Sequence, residues 1–181
     1  MNRSLSRIDG INLSLRLVQQ GDAPYIYKLR IDPNYNEHLS AVTGTITDQR
    51  RWIEEYKTRE SVGSEYYFIV ERRDGLPCGA VRLYNITDTQ FTWGSWILDN
   101  NKPRKAALES AVLVYRYGFE VLGLLRSVFD VRRENYHTLA FHHRMKAIQT
   151  HEDDQNIYFV YAHDQFIKDR PEYISILQLE S

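Results

Sequence analysis

Ile11, Leu13, Leu15 and Leu17 alternate with Asn12, Ser14 and Arg16, and this period of two predicts a strand with one buried face. Asp22 then stands at a helix-cap position with Pro24 just inside the first turn, so a short helix is expected over 25–30, ended by Asp32-Pro33-Asn34. Beyond an irregular stretch at 35–44, Thr47 and Asp48 suit the start of a second helix reaching about residue 57, with Trp52, Ile53 and Tyr56 on its apolar side. Strand-like runs follow at 66–72, 79–86 and 90–98, joined by turn signals at Asp74-Gly75 and Thr87-Asp88. They predict an antiparallel meander.

From residue 104 to 122 the period lengthens. Leu108, Ala111, Val112, Tyr115, Phe119 and Leu122 share one helical face, and Gly123 ends it. A fifth strand is expected at 126–131, a further helix at 136–147, and two late strands at 157–162 and 173–179. A long helix between strands 90–98 and 126–131 makes a right-handed crossover, so those strands should lie parallel within an otherwise antiparallel sheet. The fold class is therefore α/β (α+β): one domain over residues 1–181, with a mixed, mostly antiparallel sheet of about seven strands. A ligand belongs at the carboxyl end of strand 90–98, where the crossover helix begins.

Composition narrows the function. A hydrophobic share of 43% and an aromatic share of 13% suffice for a packed core. Twenty-three basic against twenty-four acidic residues leave a net charge of −1. No global field draws nucleic acid or anionic lipid, so any anion site must be local. Cys78 is the single cysteine, which excludes an intrachain disulfide and a thiolate zinc cage. Residues 1–10 carry basic groups without an apolar core, and no apolar run reaches the length of a bilayer span. A cytoplasmic location without a membrane partner is expected, and Asn85-Ile86-Thr87 is not read as a glycan site.

The local anion site has a candidate. Unpaired N–H groups at a helix start suit a phosphate, and here Lys102, Arg104 and Lys105 precede the long helix. Basic residues at that end oppose the helix dipole by a few tenths to about 1 kcal/mol each. Their clustering favours an anionic ligand over helix stability, the plain alternative being a solvated basic turn.

At these residues the chain resembles the GNAT acetyltransferases, most closely their RimJ/RimL-like and amino-sugar N-acetyltransferase branches. The similarity covers nearly the whole chain. It runs through Leu15-Arg16-Leu17, Asp22-Ala23, Leu29-Arg30 and residues 47–52, then through 67–71, 79–83 and 93–99. The resemblance implies a V-shaped splay between strands 90–98 and 126–131. It also implies acetyl-CoA as co-substrate, with the backbone of Ile97 and Leu98 pairing with pantetheine. The family's phosphate loop, Gln/Arg-x-x-Gly-x-Gly/Ala, falls on Pro103-Arg104-Lys105-Ala106-Ala107-Leu108, where neither glycine is present. Ala106 offers the next smallest side chain, and Arg104 or Lys105 would reach the pyrophosphate.

A second family landmark, Asn-x-x-Ser/Ala-x-x-Phe-Tyr, is matched by residues 135–142, which implies that Asn135 contacts the CoA arm. His142 replaces the tyrosine that protonates the leaving thiolate in relatives, and with an ordinary pKa of about 6.5 it is the general-acid candidate. Packing beside His143 is its alternative reading. The spacing of His137, His142 and His143 is not that of a helical metal pair, so no metal is expected. The glutamate that relatives place on strand 90–98 is Thr92 here, which leaves the base unassigned. Glu37 and His38, in the loop after the first helix, are candidates for the acceptor pocket. Trp93, Trp96 and Tyr84 are either acceptor walls or core.

The partner implied is a small-molecule amine, on the amino-sugar branch a nucleotide-linked amino sugar. A degenerate, non-catalytic acyl-CoA-binding module is the alternative. Pairing of the late strands across an exposed edge would give a homodimer.

Overall fold

The computed structural model describes residues 4–179. In chain order the elements are β1 (Arg7–Asp9), β2 (Leu13–Leu17), α1 (Ala23–Ile31), α2 (Ile46–Ser61), β3 (Tyr66–Arg72), β4 (Pro77–Tyr84), β5 (Gln90–Leu98) and α3 (Ala106–Arg116), then β6 (Arg126–Arg132), α4 (Tyr136–Arg144), β7 (Ile148–Glu152), β8 (Asn156–Ala162) and α5 (His163–Gln178). The described strands form one eight-stranded sheet in the order β1-β2-β3-β4-β5-β6-β8-β7. β5 and β6 are its parallel pair, joined by α3 as the crossover requires. The other neighbours are antiparallel.

Helices cover both faces. Ile26 and Leu29 of α1 and Ile53 and Tyr56 of α2 pack on Tyr67, Ile69, Ala80 and Ile97. Opposite them, α3, α4 and α5 bury Val112, Tyr115, Leu139, Phe166 and Tyr173 against Leu15, Phe68, Val81, Trp93, Phe129 and Phe159. Side chains alternate across a strand, so Phe91 and Trp93 point toward α3. Ile97 should follow them, yet it lies on the α1 and α2 side. An extra residue explains the switch. Ala80 pairs with Ile97 and Arg82 with Gly94, so Val81 alone faces Ser95 and Trp96, and Ser95 turns left-handed at φ 47°.

Several elements depart from the sequence pattern. Residues 173–179, expected as a strand, lie mainly in α5, because Phe166, Asp169, Tyr173 and Leu177 are buried at spacings of one helical face. The sheet edge expected to pair copies of the chain is therefore absent at that place, and the outer strands are β1 and β7. Both went unread: β1 has three residues, and all five residues of β7 are exposed. Thr45 caps α2, with Asp48 at its third position completing a capping box. Asp22 makes no side-chain cap on α1, binding the Gln19 N–H and the Arg16 guanidinium instead. The long helix changes to a π-helical turn at Tyr117–Val121, and Lys146, at φ 62°, follows the early end of α4.

Glu109 on α3 ties the crossover to the first hairpin. Its buried carboxylate accepts the Asn12 N–H at 2.7 Å and the Leu13 N–H at 3.0 Å. Removing the acceptor strands buried donors. Glu109→Ala is expected to lose about 1–3 kcal/mol of stability, with Glu109→Gln losing less, as read from urea unfolding midpoints. Equal midpoints for Glu109→Ala and the unsubstituted protein would dismiss the tie.

Candidate active site

The parallel ladder of β5 and β6 holds for two residue pairs, Gln90 with Arg126 and Phe91 with Ser127, and then stops. From Thr92 to Leu98 the edge of β5 that faces β6 has no strand partner. Backbone donors and acceptors buried inside a protein are almost always paired. An open edge in the middle of a sheet is therefore a receptor for an extended ligand with amide groups. Ile97 and Leu98 lie on it, Ile97 buried and Leu98 half-buried.

The loop after β5 is pinned by Asp99. Its carboxylate accepts the Asn101 N–H at 2.8 Å and the Tyr25 hydroxyl at 2.7 Å, and its carbonyl accepts the Lys102 N–H. Lys105, at the α3 cap, adopts φ 60° and ψ 16°. This is the conformation that glycine enters freely, so the glycine position of the loop is Lys105 and not Ala106, which is the buried first residue of the helix. Moved back by one, the loop motif has Lys102 at its basic position, Lys105 at the first glycine and Ala107 at the last. The Lys105 ammonium donates to the Ile176 carbonyl of α5 at 2.6 Å, so it is anchored there and not aimed at a phosphate. Arg104 and Lys102 are exposed beside it, and Pro103 and Leu108 are half-buried. Ala107 and Leu108 N–H groups, in the first turn, have no intrahelical acceptors.

α4 starts where β6 ends, at the same end of the sheet. Asn135 caps it, its Oδ1 accepting the Thr138 N–H at 3.3 Å. Seven residues on, His142 sits across the split. Its ring lies 5.4 Å from Trp93 and 6.3 Å from Trp96 of β5, and 4.4 Å from Phe129 of β6. It is 3% exposed, and its Nδ1 has no hydrogen-bond partner. Burial, and secondly the charge of His143, push its pKa down to about 3, so the imidazole is neutral at physiological pH. It offers a neutral N–H, not an imidazolium. The open edge, the first-turn N–H groups and this unpartnered nitrogen together fit an acyl-CoA.

On the other face, one cleft lies over β3 and β4 and another opens at the start of the split. One, of 340 Å³, is lined by Arg30, Ser40, Asp48, Trp52, Tyr67 and Arg82 among others. Arg82 stacks over Trp52 at 5.6 Å and Tyr84 at 4.7 Å, and pairs with Glu65 at 2.8 Å. The other, of 270 Å³, begins where pairing ends, lined by Tyr84, Thr92, Val128, Asp130, His151 and Tyr158 among others. Glu37 and His38 line neither; they face each other at 3.8 Å, and the Glu37 side chain is 82% exposed. Trp93 and Trp96 pack around His142 on the α3 side, while Tyr84 does line a cleft. As site residues Arg30, Trp52 and Asp130 carry no spacing signal; Arg82 and Tyr84, two apart and so on one face of a strand, were the legible hint.

A parallel pair that parts beside a basic helix start is a geometry that fits an acyl-CoA-dependent transferase. The family model described as an acetyltransferase (GNAT) domain matches residues 12–147, and the chain belongs to that family. It is an acyltransferase with acetyl-CoA as co-substrate. Among solved structures, apo FdhC, a nucleotide-linked sugar GNAT, is 42% identical, with a TM-score of 0.84 over 90% of this chain and 93% of that one. Spermidine N-acetyltransferase from Vibrio cholerae, in complex with CoA and spermine, is 16% identical, with a TM-score of 0.76 over 86% and 98%. Ribosomal-protein-S5-alanine acetyltransferase from Vibrio fischeri is 13% identical, with a TM-score of 0.75 over 87% and 97%. These last two share the fold. No curated protein sequence matches the chain. No helix among the described residues is long and apolar enough to cross a membrane.

His142 also sets an acid limit on stability. Its folded pKa lies below the ordinary 6.5, so between pH 6.5 and about 3 the unfolded chain binds a proton that the folded one refuses. Stability falls as pH drops through that window and is unaffected by this group above it. Between pH 7 and 4.5 the protein should lose roughly 2–3 kcal/mol more than a His142→Leu variant, measured by urea unfolding at each pH. Parallel losses would mean that the ring is protonated in place.

Proposed function

We propose that the chain transfers the acetyl group of acetyl-CoA to the primary amine of a nucleotide-linked amino sugar. The observation that carries this is the cleft of Arg30, Trp52 and Arg82, which reaches β4, the neighbour of the open strand β5. Two guanidiniums suit a diphosphate, and an aromatic wall suits a base or sugar face. A polyamine would meet like charge there. Asp48 is the carboxylate in that lining, and it is engaged in the α2 cap. The 42% identity to a nucleotide-linked sugar GNAT supports the same acceptor class and the amino-sugar branch.

When bound, acetyl-CoA supplies a thioester carbonyl activated toward an amine. The chain's contribution is positioning and charge. The open edge of β5 at Ile97 and Leu98 aligns the pantetheine arm, and an N–H of that edge faces the carbonyl oxygen as charge develops. Lys102, Arg104 and the Ala107 and Leu108 N–H groups hold the phosphates, and Asn135 borders the arm from α4. His142, neutral and caged by rings, would offer an N–H to the departing sulfur.

Purified protein should turn over a nucleoside-diphosphate amino sugar with acetyl-CoA far faster than it turns over spermidine. Arg30→Gln should raise KM for that acceptor about ten- to hundredfold while leaving KM for the free amino sugar unchanged. Preference for spermidine would sink the assignment. His142→Ala should lower kcat more than it weakens acetyl-CoA binding in calorimetric titration, and an unaltered kcat would remove His142 from the reaction.

A further inference from the structure

The reaction lacks a group to take the proton of the acceptor's ammonium, because Thr92 stands on β5 with a hydroxyl that has no useful basicity. Across the split from Thr92 the alternation of β6 sends Phe129 and Val131 toward α3, and Val128 and Asp130 into the 270 Å³ cleft. The Asp130 carboxylate makes no hydrogen bond or ion pair among the described residues. Other carboxylates on this part of the sheet are committed. Glu65 pairs with Arg59 and Arg82, and Asp153 accepts the Gln155 and Asn156 N–H groups and the Tyr158 hydroxyl.

We infer that Asp130 is the residue that binds the acceptor's ammonium at the split and takes its first proton. The inference rests on the acyl-transfer reading of the site above. A carboxylate three residues past Ser127, the last paired residue of β6, and on the face opposite α3, is placed for an amine approaching from that face toward a thioester along β5. The walls also suit the task. Tyr84 of β4 and Tyr158 of β8 flank it, with His151 of β7 stacked on Tyr158 at 4.2 Å. These are flat, amphipathic surfaces for a sugar ring. Arg82, stacked on the Tyr84 ring, leads from this cleft to the Arg30 cleft. The cleft pair thus presents an anion for the amine at one end and cations for a diphosphate at the other.

The step balances as follows. The ammonium gives one proton to Asp130, and the freed nitrogen lone pair forms the C–N bond to the thioester carbonyl. The C–S bond breaks with its electron pair going to sulfur. The nitrogen loses a second proton and the sulfur gains one, which leaves an amide and the CoA thiol. Titratable and charged groups that bear on the pH dependence are Arg82 and Tyr84 from β4, His151 from β7, and Tyr158 with Asp153 from the β7–β8 hairpin.

The test compares the unsubstituted enzyme with Asp130→Asn and Asp130→Glu. Each is assayed from pH 6 to 9.5 with a nucleoside-diphosphate amino sugar and with spermidine, and each is titrated with acetyl-CoA by calorimetry. For the amine that the enzyme uses, Asp130→Asn should lower kcat/KM about a hundredfold at pH 7 and recover toward the parent as pH rises and free amine appears. Asp130→Glu should restore part of it, and acetyl-CoA affinity should stay within about twofold in both. A loss under about threefold, or one equal at every pH, overturns the role of Asp130. Turnover of spermidine alone would overturn the nucleotide-sugar reading while still judging Asp130 on that amine. Absence of turnover with both acceptors overturns both.

Discussion

The site depends on a parallel ladder that stops after Phe91 and Ser127. Continued pairing would satisfy every backbone group of β5 within the sheet and leave nothing for a ligand. Two features stop it. The extra residue at Ser95 bends the distal half of β5 and reverses which face its side chains take. A wedge of rings, Trp93, Trp96, Phe129 and His142, fills the angle on the α3 side. The rings keep the strands apart by volume, and the bulge makes the parting cheap in backbone strain. What remains is a polar edge with an apolar floor, which is the shape an acyl-pantetheine needs and water does not.

The split also separates two electrostatic environments. On the α3 side His142 is caged by aromatic rings and stays neutral because charging it there is costly. On the other side the charges remain, with Arg30, Arg82 and Asp130 lining clefts. Acyl transfer from a thioester to an amine benefits from this asymmetry. On the proposed reading the thioester would lie in the dry slot and a polar acceptor would be recognised where charged groups retain their hydration and their reach.

Much of this architecture was legible as periodicity. Alternation at Leu13, Leu15 and Leu17 and the apolar face from Ala111 to Phe119 follow directly from burial on one side. The basic run before α3 marks the start of that helix beside the split, but its left-handed residue was invisible, because Lys105 gives no glycine signal at a glycine conformation. β7 escaped because an edge strand with all its residues exposed carries no hydrophobic period. Residues 173–179 were misread because Tyr173, Ile174, Ile176 and Leu177 fit a strand over a few residues, and the helical period shows only when Phe166 and Asp169 are included. Arg30, Trp52 and Arg82 come from α1, α2 and β4, and sheet order alone brings them into one cleft.

Lys105 shows why a lost glycine need not mean a lost loop. Holding a non-glycine residue in the left-handed region costs about 1–2 kcal/mol, and a charge-assisted hydrogen bond contributes about 1.5–3 kcal/mol when well formed. The Lys105 ammonium makes that bond to the Ile176 carbonyl, in the last turn of α5, where the helix dipole favours a cation. Partial exposure lowers the gain, so the two effects are of the same order and the strained conformation persists. A glycine would relax the backbone and sever the connection. The side chain that stands in place of the loop's glycine thereby fastens it to the C-terminal helix, and the loop keeps the left-handed turn that presents the first N–H groups of α3.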